Sequence, residues 1–147
     1  MNFPKDNKQL DQIFTNGSEP SMEEFVDEYW VKMLTGMIPN FRWAGHRKRF
    51  FSENRNKIGN NIILSNTVFG HFKVKLGQCD DLNNLKVLIL DYGEKKNFLT
   101  RSVRDKIRKI EKESFLGRYY NFIDGVYHFK GYFSLGKKYP GENKPLK

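Results

Sequence analysis

The residues of this chain that could do chemistry are few, and their spacing is poor. His46, His71 and His128 are each isolated, and no two share the i, i+4 or paired spacing that metal ligands usually show. The ordinary reading of each is a surface or hydrogen-bonded histidine, with His128, set among ring residues, the first candidate for anything more. Cys79 is the single cysteine, and the neighbouring Asp80 and Asp81 would oppose a thiolate. Those two carboxylates are adjacent in a polar run, and adjacent side chains on an extended chain point apart instead of converging. No G-x-S-x-G elbow is present, and Gly117 beside Arg118 matches neither phosphate-loop nor dinucleotide fingerprints. These observations give no catalytic residue, no metal ligand and no cofactor, and they lean away from an enzyme.

The remaining chemistry is cationic. The stretch "FRWAGHRKRFF", Phe41 to Phe51, gathers His46, Arg47, Lys48 and Arg49 between aromatic ends. On a strand Arg47 and Arg49 fall on one side and His46 and Lys48 on the other, so the cluster is split unless Gly45 introduces a bulge. Further on, "TRSVRDKIRKIEKES" reads as a short helix over 101–111, with Val103, Ile107 and Ile110 on one face. Arg101, Arg104, Arg108 and Lys112 would then make a stripe able to track phosphates. Asp105, Glu111 and Glu113 are interleaved, so a solvated face is the simpler reading. An anionic partner surface of Arg47, Arg49, Arg101, Arg104 and Arg108 is the alternative, and nucleic acid is not the favoured partner.

Charge is unevenly distributed along the 147 residues: 1–30 carry two lysines against seven carboxylates, net −5, and the remainder is +14, which totals +9. The acidic start either covers part of a basic body or leaves that body to an anionic partner. Thirteen Phe and seven Tyr can fill one ring-rich core, and the length is that of one domain. The longest apolar runs are three or four residues, against the roughly 20 needed to span a bilayer. The expectation is a cytoplasmic protein with no membrane segment and no membrane partner; the lone cysteine fits a reducing compartment.

Elements follow from the patterning. Residues 1–20 read as an N-terminal segment. "SMEEFVDEYWVKMLTG", 21–36, has a Ser21/Glu24 capping-box spacing and apolar residues at helical intervals, which predicts an amphipathic helix. From 41 to 136 short aromatic and β-branched runs alternate with Gly, Asn and Asp, as antiparallel strands do. "GHFKVKLG" sets Phe72, Val74 and Leu76 opposite His71, Lys73 and Lys75. "LKVLILDY" is apolar on both faces, a covered strand. Asp124-Gly125 marks a type I′ hairpin turn. On its return strand Tyr127, Phe129, Phe133 and Leu135 share a face that Gly131 interrupts, the sign of a bulge. The tail 137–147 is polar.

The blocks "YWVKMLTG", "RWAGHRKRFF" and "VRDKIRKI...FLGRYY...FKGYFSLG" resemble a group of uncharacterised bacterial proteins similar to lipocalin-like, G-x-W-x-G type small β-barrels. Trp43 and Gly45 match the W-x-G half, and Phe41 stands in the place of the first glycine. The resemblance implies a closed antiparallel barrel with a helix near one end and an apolar ligand cavity. The expected fold is therefore mainly β, one closed or nearly closed antiparallel barrel with an N-terminal amphipathic helix and one further short helix. The expected ligand is small, apolar or amphiphilic, met by Phe72, Val74, Leu76, Tyr127, Phe129 and Phe133, with Trp43 at the closed end and Arg118 facing any acid group. A protein-interaction domain and a homodimer are the other partners considered.

Overall fold

The computed structural model describes residues 2–41, 44–93 and 102–137. A helix α1 (Asn7–Asn16) and a single 3-10 turn (Met22–Glu24) precede eight strands: β1 (Asp27–Met33), β2 (Arg47–Glu53), β3 (Asn56–Ile63), β4 (Thr67–Cys79), β5 (Leu85–Asp91), β6 (Val103–Glu111), β7 (Ser114–Ile123) and β8 (Val126–Gly136). Each strand pairs antiparallel with the next and β8 returns to β1, closing the barrel. The mainly β, single-barrel fold is what the chain forms, and closure leaves no sheet edge.

Pleating divides each strand between two chambers. Inward go Tyr29, Val31, Phe50, Phe72, Val74, Leu88, Leu90, Ile107, Phe115 and Phe133, with Phe25 closing one end beneath the 3-10 turn. Two glycines make this density possible: a Cβ on Gly59 would collide with the Phe72 ring, and one on Gly117 with the Phe133 ring. Outward on β5–β8 lies a second apolar layer, Val87, Ile89, Leu116 and Tyr132, over which α1 lays Leu10 and Phe14. This covers "LKVLILDY" on both faces, as its composition requires. Asp6 caps α1 by accepting from the Gln9 amide at 3.1 Å.

The helix expected over 21–36 is instead one 3-10 turn followed by a strand. Its capping box is real, but it serves a single turn, which ends at Phe25. Asp27 then takes φ 60 and the chain becomes extended, with Tyr29 and Val31 inside the barrel and Trp30 outside. Apolar residues on both faces mimic helical spacing, and pairing with β2 and β8 decides the outcome. The amphipathic helix lies earlier, in α1, within the 1–20 segment.

The helix expected over 101–111 is also corrected. Residues from Val103 onward form β6, with Asp105 and Ile107 inward and Arg104, Lys106 and Arg108 on the outer face. Ladders to β5 and β7 override the i, i+4, i+7 spacing.

The bulge near Gly131 is present: Tyr119 faces Gly131 but Tyr120 faces Phe129, which leaves Lys130 as the extra residue. A side chain at 131 would strike the Thr35 carbonyl. The bulge shifts the alternation by one residue, so Phe133 and Leu135 point inward while Phe129 joins the outer layer. Asp124 and Gly125 both have positive φ, 52 and 82, as a type I′ turn demands.

Up-and-down order sorts the connections between two ends. The loop end holds the ends of β1 and β5 and the starts of β2 and β6, the β3–β4 turn and the Asp124–Gly125 hairpin tip; the turn end holds the 3-10 turn and the short links before β3, β5 and β7.

Candidate ligand-binding site

β2, β3 and β6, together with Tyr92 just past β5, contribute polar side chains to the barrel interior toward the loop end. Lys48 points inward because it shares the phase of Phe50, and Asp105 shares the phase of Ile107. The Lys48 ammonium donates to Asn61 Oδ1 at 2.8 Å and to the Tyr92 hydroxyl at 2.6 Å, and stands 3.1 Å from Asp105 Oδ2. Tyr92 donates on to Asp105 Oδ2 at 3.1 Å and accepts from Asn61 Nδ2 at 2.8 Å. Phe72 and Phe133 flank the ammonium with ring centroids 5.6 and 5.2 Å away.

Lys48 and Asp105 are nearly sealed from water, their side chains 6% and 3% exposed. Burial pushes the Lys48 ammonium below its usual range and the Asp105 carboxyl above its own, and each charge partly restores the other. Such a pair is weak evidence for stability, because desolvation offsets most of the attraction. A perturbed, hydrogen-bonded cluster within apolar walls is better evidence for a site.

His46 completes the cluster. Its Nε2 lies 3.1 Å from Asn61 Oδ1, an acceptor that also serves Lys48, so Nε2 carries the proton. Nδ1 is then a bare acceptor, buried and without a partner among the described residues. Phe69 and Phe41 rings lie 5.2 and 6.4 Å from the imidazole. Burial, with the Lys48 charge second, pushes its pKa down to about 3.

Of the expected ligand residues, Phe72, Val74 and Phe133 belong to this interior. Leu76 has the inward phase but extends past the end of β3, and is 53% exposed at the turn end. Tyr127 and Phe129 lie outside, turned there by the bulge; Tyr127 packs on Phe122 and on Arg104. Trp43 and Arg101 fall outside the described residues.

Arg118 is on the outer wall, because inward Gly117 and Tyr119 flank it. There it clamps α1, donating to Asp11 at 2.7 Å, Asp81 at 2.9 Å and the Tyr120 hydroxyl at 2.8 Å, with Phe129 stacked at 3.9 Å. Cys79 borders this clamp, and burial pushes its thiol up, away from nucleophilic use.

The described arginines expected to form one surface for an anionic partner are divided between β2 and β6. Arg47 is engaged by Glu28 at 2.6 Å and by the Leu64 and Ser65 carbonyls, and Arg104 by Asp91 at 3.3 Å. Arg108 is buried against α1. Arg49 remains near an open furrow of about 560 Å³ in the outer wall of β2–β4, lined by Phe51, Ile58, Asn60 and Lys73. That furrow is separate from the interior cluster.

Sequence reasoning split His46 and Lys48 from their neighbours but did not take them inside. The available signal for Asp105 was its position between Val103 and Ile107, one carboxylate in an apolar phase. Together the elements define an eight-stranded up-and-down barrel with a polar centre in a ring-rich interior. Comparison with family models, curated proteins and solved structures finds no match.

Proposed function

We propose that this barrel binds one small amphiphile, its polar end held by Lys48 and His46 and its apolar part against the surrounding rings. The observation that carries the reading is the buried His46 Nδ1, an acceptor without a partner among the described residues, beside the buried Lys48–Asp105 pair. Eight strands enclose room for side chains or for one small ligand. Phe72 and Phe133 already occupy the middle, so the ligand sits toward the loop end and is small, or it displaces those rings.

The resemblance to lipocalin-like bacterial barrels supports the same reading through its fold. The single buried cysteine fits a cytoplasmic setting. Among the described residues no helix is long and apolar enough to cross a membrane.

Thermal shift with fatty acids, haem and flavins tests the proposal. A stabilising ligand should lose its effect in His46→Phe, in which the imidazole acceptor is replaced by an apolar ring. No stabilisation by any of these, or an equal shift in His46→Phe, overturns it.

A further inference from the structure

The apolar residues left outside the barrel are concentrated at one end. Met37 and Ile38 lie on the β1–β2 connection, Leu64 on the β3–β4 turn, and Phe122, Ile123 and Val126 at the β7–β8 hairpin tip. All of these connections belong to the loop end. Met37 is 95% exposed, Leu64 58% and Val126 57%, values that a water-facing rim does not need. They surround the end nearest the polar centre.

Carboxylates are distributed the other way. Glu23, Asp27, Glu53, Asp80, Glu111 and Glu113 all lie at or beside the turn end, interleaved with cations such as Arg55, Lys57 and Lys112. Among the described residues the loop end has Asp91 and Asp124 outside and Asp105 inside; Asp91 is held by Lys75 and Arg104, and Asp105 by Lys48. Lys32 and Lys130 stand on the wall behind the rim, and Arg47 and Arg104 stand there in their pairs with Glu28 and Asp91. An anionic surface approaching the loop end meets apolar tips backed by the two lysines, while the carboxylate-rich end faces away.

We propose that the protein docks loop end first on an anionic lipid bilayer, with the rim side chains inserted at the headgroup level and the polar end of the barrel interior nearest the lipid. Aliphatic and Phe tips supply apolar burial, and basic residues near the surface are attracted to anionic lipid. The inference extends the ligand-binding reading by naming the source of an amphiphile. It is measured on ligand-free protein, so the two fail separately.

The test is co-sedimentation of the full chain with vesicles of phosphatidylcholine alone or with phosphatidylglycerol. Binding to the anionic vesicles should be at least about tenfold tighter and weaken with added salt. The triple variant Leu64→Ser, Phe122→Ser, Val126→Ser changes only exposed side chains and should lose about tenfold or more, whereas Leu76→Ser, at the opposite end, should bind like the parent. Circular dichroism confirms that each variant is folded. Equal affinity for both vesicles, no binding, or equal loss in Leu76→Ser overturns the proposal. So does a wild-type dimer in analytical ultracentrifugation that the triple variant dissolves, since the rim would then be a contact between copies.

Discussion

Arg108 and Phe14 meet across the outer wall of the barrel, where the guanidinium Nε donates to the Phe14 carbonyl at 2.8 Å. The same side chain donates to the Gly17 carbonyl at 2.6 Å and to the Lys86 carbonyl at 2.6 Å. A strand residue therefore caps the C-terminal end of α1, where free carbonyls need donors. A cation there also suits the negative end of the helix dipole.

Replacing Arg108 by Ala should cost about 2–4 kcal/mol in chemical denaturation, because three buried carbonyls lose a charged donor. Arg108→Lys should recover little of it, since one ammonium cannot span three acceptors set by a planar fork. Hydrogen exchange over residues 7–16 should quicken in both variants. Unchanged exchange there would show that α1 is held by Leu10, Phe14 and the Arg118 clamp alone.

Lys48→Met should destabilise by about 3–5 kcal/mol, since it leaves Asp105 buried and uncompensated. The sign of its pH dependence follows from burial, which raises the Asp105 carboxyl above its unfolded value. Stability in this variant is fullest at low pH, where Asp105 is protonated, and is lost as pH rises through the folded-state value. Adding Asp105→Leu should restore most of the loss and flatten that dependence. A double-mutant cycle by urea unfolding measures both.

His46 imposes the opposite slope. Its folded pKa of about 3 lies below the unfolded 6.5, so the unfolded chain takes up a proton first. Stability is intact above pH 6.5 and falls as pH drops toward 3, by up to about 1.4 kcal/mol per pH unit from this one group. His46→Phe should remove that component. The difference between wild-type and variant unfolding curves across the window isolates it from Asp81 and Asp91, whose pKa values are lowered in the folded state. Parallel curves would mean that the imidazole is protonated in place.

Strand phase was legible wherever one face met water. "GHFKVKLG" gave Phe72 and Val74 their inward places, and Asp124-Gly125 gave the hairpin. β1 and β6 were misread for different reasons. The outward face of β1 is not plainly polar, since Trp30 packs under Arg47, and two-sided cover erases the period of two. On β6 the outward face is basic, but the inward phase carries the buried Asp105 between Val103 and Ile107, which breaks the apolar alternation. The bulge was legible at Gly131, but its effect on Tyr127 and Phe129 required counting the extra residue through the ladder. Arg118 was expected inside because an arginine among rings resembles a ligand anchor. What it anchors is a helix 107 positions earlier in the chain, and long-range partners leave no local pattern.

The closing pair of strands has a kinetic consequence. β1 and β8 share four partnered positions, from Trp30 opposite Gly136 to Met33 opposite Phe133, whereas β7 and β8 share ten. The seam thus joins the first strand to the last, across more than a hundred residues of intervening chain. During synthesis β1 must wait, its edge unpaired, until Gly136 has emerged. Closing so distant a contact is slow. In a mature molecule the same short seam is where a transient opening of the wall begins.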